Sequence, residues 1–307
     1  MKGYIGSVRF FKNLILLLVL IFIAIPTVFA FRGKAELAAL EQTMADSLQQ
    51  KDQQIADLQQ QNIQLTEELN ASFFDPEGPA YQSLYPDFYA PQQLDAATKQ
   101  SGVIYLTFDD GPSARTPEVL EVLRGENVKA TFFVIGGDNE QRRQWMRDIV
   151  SDGHTLAMHT YSHDYDDIYE SVEAYLADMY EIFTLIKEAT GVTPTHFRLP
   201  GGSINGYNYE VSQEILSEML RRGFVPYDWN VSSGDAASGG ASADYIRSNV
   251  VNGASRVDRG IVLMHDSSAK YTTVAALRSM IQRLRSMGFT FDSLQPDTAP
   301  ILFGYSY

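Results

Sequence analysis

Short apolar segments alternate with longer amphipathic segments from residue 102 to the end of the chain. Seven of the apolar segments have the length and composition of strands, at residues 103–108, 130–135, 155–158, 195–199, 224–229, 261–265 and 290–291. Six intervening segments have the periodicity of helices, at residues 117–125, 140–152, 171–190, 210–222, 243–257 and 272–287. This alternation predicts an α/β fold with a parallel sheet, specifically a closed or nearly closed, distorted (β/α)7-type barrel.

Charged, histidine and glycine residues gather at or just beyond the C-terminal ends of the predicted strands. They form five short segments, at residues 107–112, 159–163, 198–202, 229–235 and 263–265. These segments contain three of the five histidines in the chain. Because barrels of this class build their active sites at the carboxyl ends of the strands, we expect the five segments to meet in one site.

His159 and His163 are candidate metal ligands. On a helical turn their spacing of four would place both imidazoles on one face, within reach of one ion, and Asp110 could supply a third ligand. Taken alone, the pair fits two ordinary histidines equally well. The chain has no cysteine, so thiolate ligands and disulfides are excluded. Two imidazoles and a carboxylate suit zinc or a similar divalent ion with one position open for water.

Four further residues are candidates for moving or controlling protons. Asp109 and Asp110 are adjacent at the end of a predicted strand and point to opposite sides, so one of them can bind a metal while the other holds a proton. Arg198 can form an ion pair with a carboxylate. His265 is the last residue of a predicted buried strand, at the end that faces the cleft, and a histidine there can act as a general acid. Asp235 could raise the pKa of that histidine. Two other carboxylates are looser candidates for the same task, Asp228 and Asp266. Singly, each of these residues also fits a turn, a salt bridge or a buried core position.

Together, in this order, the five segments resemble the five motifs of the polysaccharide deacetylases, the NodB-homology group of carbohydrate esterase family 4. The resemblance covers residues 101–291. It implies a distorted (β/α) barrel of about seven strands. It also implies that Asp110, His159 and His163 bind a divalent metal, expected to be Zn²⁺, with Co²⁺, Mn²⁺ or Ni²⁺ as alternatives.

The resemblance assigns a role to each of the four proton-handling residues. Asp109 matches the catalytic base that deprotonates a metal-activated water, and His265 matches the acid that protonates the leaving amine. Arg198 is expected to orient Asp109, and Asp235 to tune His265.

Substrate contacts follow from the same resemblance, with two departures. The backbone N–H of Gly201 is expected to stabilise the oxyanion, and Trp229 and Leu263 to line the acetyl pocket or its surround. The third motif usually carries an aromatic residue where this chain has Gly201, and the fourth often has Trp where it has Ala236. Both positions line the sugar groove in the family.

The N-terminal segment predicts a membrane anchor. Residues 14–31 are uncharged and dominated by Leu, Ile, Val and Phe, and three basic residues precede them. That length can span a bilayer, and the basic flank places residues 1–13 in the cytoplasm. The alternative is a secreted protein cleaved after Ala30, because residues 28–30 resemble a signal-peptidase site. In both cases the remaining chain is expected outside the cytoplasm, facing the cell wall.

Between this anchor and the predicted barrel lie two further segments. Residues 35–71 contain no Gly or Pro and place apolar side chains at seven of ten heptad core positions, which predicts a coiled-coil stalk and a homodimer formed through it. The alternative is a single solvated helix or a partly disordered stalk. Residues 72–100 carry four prolines and several aromatic residues, and are interpreted as a linker that packs on a catalytic domain at residues 101–307.

The sequence therefore predicts a membrane-anchored, metal-dependent enzyme that removes N-acetyl groups from wall polysaccharide. The expected substrate is N-acetylglucosamine or N-acetylmuramic acid of peptidoglycan. A net charge of −14 without basic clusters excludes nucleic acid as a partner. Two alternatives are an O-acetyl esterase acting on xylan or another glycan, and a non-catalytic wall-binding protein. A paired acid and base argue against the second alternative.

Overall fold

The structure is a computed structural model, and it describes residues 12–17, 20, 22, 42–58, 60–61, 78–91, 100–137, 139–237 and 240–304. The chain divides into two compact units, Met1–Glu68 and Leu69–Tyr307. The second unit contains all five sequence segments.

Eight parallel strands form one sheet in the second unit. They are β1 (Val103–Gly111), β2 (Thr131–Ile135), β3 (Thr155–Thr160), β4 (His196–Phe197), β5 (Val225–Pro226), β6 (Val231–Ser232), β7 (Gly260–His265) and β8 (Thr290–Asp292). Their order is β5-β4-β3-β2-β1-β7-β6, and β8 pairs with the first residues of β1. The predicted α/β fold with a parallel sheet is confirmed, with β1 at its centre.

Seven helices accompany the strands in the described part of this unit. They are α1 (Thr116–Glu126), α2 (Glu140–Ser151), α3 (Tyr165–Ile168), α4 (Val172–Thr190), α5 (Ser212–Arg221), α6 (Ala243–Ala254) and α7 (Tyr271–Ser286). Local sequence explains several of their ends, since Asn139, Ser171 and Ser242 each accept a backbone N–H as N-caps. Gly191 ends α4 with a φ of 74°, a left-handed conformation that glycine adopts without strain.

Side chains of the central strand alternate between two cores. Ile104, Leu106 and Phe108 pack in the large cluster that the helices share with the sheet. Val103 and Tyr105 belong to a second, smaller cluster on the opposite face of the strand. Because the side chains of a strand alternate in direction, Thr107 and Asp109 point to the same face of the sheet as Val103 and Tyr105. Asp109 therefore lies on the face of the smaller cluster, near the C-terminal end of β1.

The sheet curls into an open barrel instead of closing. β5 and β6 end the sheet, and no pairing joins them in the part of the chain that the structure describes. The segment between them turns to other partners: Asp228 N–H donates to Ile301 O at 2.7 Å, and Asn230 N–H to Ile261 O at 3.2 Å. The predicted strand at residues 224–229 is therefore shortened to Val225–Pro226. Beyond it, Asp228 pairs with Ile301 instead of with a strand that would close the barrel.

A segment that precedes the sheet is fastened to α5 by one buried arginine. Arg222 has no exposed side-chain surface, and its Nε donates to Glu218 at 2.6 Å. Its two Nη atoms donate to four backbone carbonyls of residues 81–88. Ala90 N–H in turn donates to the carbonyl of Arg222. Residues 78–90 are thus part of the compact unit, because a buried guanidinium needs every one of these acceptors.

Within the first unit, residues 42–58 are helical, and Met44, Leu48, Ile55 and Leu58 are exposed on this helix. These apolar side chains occupy predicted heptad positions. The coiled coil and the dimer stay predictions.

Most of the predicted membrane span at residues 14–31 lies outside the described residues. None of the helices that the structure describes is both long and apolar enough to cross a membrane.

Replacing Arg222 with Met is expected to lower the free energy of unfolding of residues 69–307 by about 3–5 kcal/mol, because Glu218 and four carbonyls lose a buried donor. Arg124→Met is the matched control, since Arg124 is 66% exposed in its ion pair with Asp152 and should change that energy by less than about 1 kcal/mol. Urea unfolding followed by circular dichroism measures both. Equal effects of the two substitutions would contradict this role of Arg222.

Candidate active site

The ends of β1 and β3 bring three predicted metal ligands together. Asp110 lies at the end of β1, His159 lies in β3, and His163 follows in the turn after β3. His163 Nε2 is 3.2 Å and His159 Nε2 is 3.6 Å from Asp110 Oδ1. One ligand atom from each residue lies within 4.8 Å of the other two. This is the only such group of His, Cys, Asp and Glu found among the residues that the structure describes.

The prediction that the two histidines share a helical turn is wrong. His159 is in a strand, and His163 has a φ of 57° in the turn that follows it. Asp178 on α4 accepts the N–H groups of Tyr161 at 2.5 Å and Ser162 at 2.8 Å, which folds this turn back on the strand. A strand end followed by a tight turn therefore produces the same proximity as a helix. Nothing in the local sequence identifies Asp178 as the partner of this turn.

The donor set and its electrostatics fit a divalent cation. Asp110 Oδ1 is buried and accepts no well-formed hydrogen bond from the described residues. Burial would raise the pKa of Asp110, but His163, His159 and His265 together hold it well below its usual range. Burial lowers the pKa of His159 despite the neighbouring carboxylates, so its imidazole is neutral, the form that binds a metal. Burial would lower the pKa of His163, but the neighbouring Asp110 raises it, so a cation would compete with a proton there.

Arg198 and Asp109 form an ion pair sealed inside the sheet. Arg198 Nη1 donates to Asp109 Oδ1 at 2.7 Å, and the side chains are 0% and 4% exposed. Nη1 also donates to Thr107 Oγ1 at 2.8 Å, Nε donates to Tyr227 O at 2.8 Å, and the guanidinium lies 4.1 Å from the centre of the Phe133 ring. Each of these contacts limits the rotation of Arg198, so the orientation of the Asp109 carboxylate is fixed.

His265 and Asp235 form a second fixed pair on the other side of β1. His265 Nδ1 lies 2.7 Å from Asp235 Oδ1, and Asp235 Oδ2 accepts both the backbone N–H of His265 and the hydroxyl of Thr273. Burial would lower the pKa of His265, but the hydrogen bond and charge of Asp235 raise it. The His265 interaction likewise lowers the pKa of Asp235, although burial opposes it. His265 Nε2 lies 4.0 Å from Asp110 Oδ2.

The two looser carboxylate candidates bind elsewhere. Asp228 accepts hydrogen bonds from the backbone and hydroxyl of Ser203 and from the N–H of Phe303. Asp266 accepts the Thr116 hydroxyl at 2.5 Å, and burial raises its pKa to about 7. Neither carboxylate hydrogen-bonds to His265 in the described structure, so Asp235 is the carboxylate that contacts this histidine.

The three predicted substrate contacts surround these groups. Gly201 is exposed in the loop after β4, and its N–H has no hydrogen-bond acceptor among the described residues. Leu263 lies in β7 opposite Ser232, half-buried. Trp229 is also half-buried, with its ring 4.8 Å from that of Phe303 and 5.7 Å from the Arg198 guanidinium. Their roles toward a substrate stay predictions.

The two remaining histidines are structural. His154 Nδ1 accepts the N–H of Ala130 at 3.2 Å, and His196 Nδ1 lies 2.8 Å from the hydroxyl of Thr195. Burial lowers the pKa of both to about 4, so both are neutral near pH 7. The interpretation of His154 as structural agrees with these contacts.

Known proteins with the same sequence features share this fold. The sequence model for polysaccharide deacetylase matches residues 96–219. A peptidoglycan-N-acetylglucosamine deacetylase of Bacillus cereus is 31% identical over 213 residues, which cover 68% of this chain and 74% of that protein. The crystal structure of the catalytic domain of peptidoglycan N-acetylglucosamine deacetylase from Eubacterium rectale is 34% identical, with a TM-score of 0.65, and the match covers 69% of this chain and 97% of that one.

A third similarity is to a family 4 carbohydrate esterase from Streptomyces lividans, solved in complex with acetate. It is 30% identical with a TM-score of 0.55, and the match covers 65% of this chain and 98% of that one. The Bacillus cereus match is one of sequence, and the other two matches agree in sequence and architecture. This chain covers at least two thirds of each of those proteins. The chain therefore belongs to the polysaccharide deacetylase family, the NodB-homology enzymes of carbohydrate esterase family 4.

Proposed function

We propose that this protein is a metal-dependent N-deacetylase of peptidoglycan, with N-acetylglucosamine as the first candidate sugar and N-acetylmuramic acid as the second. The observation that carries this proposal is the position of two fixed proton carriers beside the three-ligand cluster. Asp109 Oδ2 is 3.9 Å from His159 Nε2, and His265 Nε2 is 4.0 Å from Asp110 Oδ2. The names of the Bacillus cereus and Eubacterium rectale relatives support the choice of substrate.

Asp110, His159 and His163 would hold the cation, with Zn²⁺ the first candidate and Co²⁺, Mn²⁺ or Ni²⁺ the alternatives. When bound, the ion would supply Lewis acidity that makes water a better nucleophile and polarises the acyl carbonyl. An oxygen and two imidazoles are the donor set that such ions prefer.

Asp109 acts as the general base. Its Oδ1 is held by Arg198, so Oδ2 is the oxygen that takes the proton when water attacks the carbonyl carbon of the acetamide. The free N–H of Gly201 donates to the oxygen of the resulting tetrahedral intermediate. A fixed base and a fixed donor lower the barrier because neither has to reorganise during the reaction.

His265 acts as the general acid. Asp235 occupies Nδ1, which leaves Nε2 to give its proton to the sugar nitrogen as the C–N bond breaks. Acetate leaves with the oxygen of the water, and the glycan keeps a free amine. Asp235 raises the pKa of His265, so the imidazolium is available at higher pH than an unassisted histidine would allow.

The location and assembly of the enzyme are part of the proposal. The apolar segment at residues 14–31 and the heptads at residues 35–71 support a single-pass membrane protein whose catalytic unit stands on a dimeric stalk outside the cytoplasm. Peptidoglycan would then be the nearest acetylated polymer. An O-acetyl esterase is the second candidate, because the Streptomyces lividans relative is a carbohydrate esterase.

Zn²⁺-loaded protein is expected to release acetate from peptidoglycan and from N-acetylglucosamine oligomers, and Asp109→Asn to lower kcat by about 10²- to 10⁴-fold through loss of the base. Asparagine keeps the shape of the side chain, so the zinc content should stay unchanged. Coupled-enzyme assay of acetate gives the rates, with acetylated xylan as the ester substrate. Metal-loaded, folded protein that releases acetate from xylan alone would favour the esterase, and release from none would refute both.

His163→Ala is expected to weaken Zn²⁺ binding by more than about 100-fold, because loss of a partner of a ligand alone costs about 10- to 100-fold. Buried, structural His154 provides the control, and His154→Gln should leave the affinity within a few fold. Competition with a chromophoric zinc chelator measures both constants. If His163→Ala bound zinc as tightly as the unchanged chain, the cluster would not be the metal site.

Asp235→Asn is expected to move the alkaline limb of the kcat profile to lower pH, because the carboxylate raises the pKa of His265 and the amide does not. The rate falls as pH rises past that pKa, since the acid form is the one that reacts. Thr273→Val is the control: it removes one hydrogen bond from Asp235 but keeps the charge, so its shift should be smaller. If the alkaline limb of the kcat profile did not move in Asp235→Asn, Asp235 would not control the pKa of the general acid.

A further inference from the structure

Aromatic rings lead away from the metal cluster toward solvent. The ring of Tyr165 lies edge-on to His163, with ring centres 5.5 Å apart. Tyr207 packs edge-to-face on Tyr165, with centres 4.9 Å apart and planes at 65°. Tyr165 is half-buried between these two rings, whereas Tyr207 is 62% exposed. Core packing does not explain why the exposed ring of Tyr207 contacts Tyr165, which in turn contacts His163.

Tyr165 fills space beside Gly201. A β-carbon added at Gly201 would lie 3.2 Å from the Tyr165 hydroxyl and 2.9 Å from Asn205 Nδ2. Gly201 also has a φ of 75°, which side chains rarely adopt. The position where related motifs carry an aromatic side chain is thus bare backbone here, and an aromatic ring reaches it from the segment after β3 instead.

The loop that carries Tyr207 is held by its own amide side chains. Asn205 Nδ2 donates to Pro200 O at 3.0 Å, and Asn205 Oδ1 accepts the N–H of Tyr207 at 2.8 Å. Asn208 Nδ2 donates to Gly202 O at 2.9 Å, and Asn208 Oδ1 accepts the N–H of Asn205 at 2.7 Å. Tyr207 therefore projects from a preformed loop, and a ligand that uses it has little ordering entropy to lose.

We propose that Tyr207, backed by Tyr165, is a binding platform for a neutral pyranose ring of the glycan, adjoining the sugar that is deacetylated. The inference rests on the proposed function, because it places a neighbouring sugar beside the reacting one. An aromatic face carries partial negative charge and favours the apolar, C–H-rich face of a sugar, while the phenol hydroxyl reaches the rim. Concave sites next to catalytic groups commonly combine such rings with a few polar contacts.

Charge narrows the ligand to a neutral sugar. Asp166 and Asp167 lie in the first turn of α3 beside Tyr165, and the chain carries a net charge of −14. A sugar with a carboxylate would meet repulsion from this net negative charge, whereas an N-acetylated neutral sugar would not. A uronic acid oligomer is therefore a useful negative probe.

The test compares a polymeric with a sugar-free substrate in the full, Zn²⁺-loaded chain. Tyr207→Ala is expected to raise KM for the N-acetylglucosamine tetramer about 3- to 10-fold, the loss of one aromatic contact, with kcat changed by less than about twofold. Hydrolysis of 4-nitrophenyl acetate, which carries no sugar, should change far less. Tyr207→Phe keeps the ring and should restore most of the tetramer affinity.

Tyr209→Ala is the matched control. Tyr209 is 77% exposed in the same loop and takes part in no ring pair among the described residues, so its removal should leave KM for the tetramer unchanged. Titration calorimetry with the tetramer, and with a galacturonic acid tetramer that should not bind, follows binding without catalysis.

The outcomes separate the two proposals. If the chain deacetylates the tetramer and Tyr207→Ala does so with an unchanged KM, or with an equal loss on the aryl acetate, the platform is refuted and the deacetylase stands. If the chain binds the tetramer through Tyr207 but releases no acetate, Tyr207 is a sugar-binding platform but no deacetylated sugar adjoins it, and the deacetylase is refuted. Absence of both binding and release would overturn both.

Discussion

The buried ion pair between Arg198 and Asp109 controls the geometry of this site. A guanidinium with no exposed surface must find acceptors for its donors, and breaking a buried pair by removing one partner costs about 3–5 kcal/mol. The acceptors come from the central strand and from the segment where the sheet opens, through Thr107 and the carbonyls of Tyr227 and Asp228. One side chain thus orients the proposed base and also fastens the interrupted edge of the barrel.

A break in the regular geometry of β1 at Asp110 gives the two adjacent aspartates different partners. Asp109 continues the inward series of the strand and meets Arg198, whereas Asp110 has left strand geometry with a φ of 67° and meets the histidines. Asp109 could not offer both of its oxygens to a metal, because the Arg198 guanidinium already occupies one of them. The pair of His265 and Asp235 repeats this arrangement on β7, where a buried acceptor fixes one atom and leaves the other facing the cluster.

Sequence patterns predicted the strands, most helices and the meeting of the five segments, because the carboxyl ends of parallel strands converge whatever the detailed closure. They left undecided whether the barrel closes fully, since this depends on residues 298–303 reaching Tyr227 and Asp228 from far along the chain. The four-residue spacing of the histidines fits a helix and a strand with a turn equally. Asp178 decides between them, and no local periodicity links it to that turn. The four-residue α3 and the two-residue β6 are too short to leave a periodic signal.

The separation between strand ends and loops has a consequence for specificity. The proposed base, acid and two of the metal ligands stand on or directly after β1, β3 and β7, where buried partners fix them. Tyr165 lies in the short helix α3, and Tyr207 lies in a loop held by the side-chain amides of Asn205 and Asn208. If Tyr207 binds a sugar as proposed, substitutions at these two tyrosines would change which sugar ring packs beside the site and would leave the buried partners of the base and the acid in place. Gly201 illustrates this separation: the aromatic ring beside its backbone comes from Tyr165 in another segment, although Arg198 with its buried partners is only three residues away.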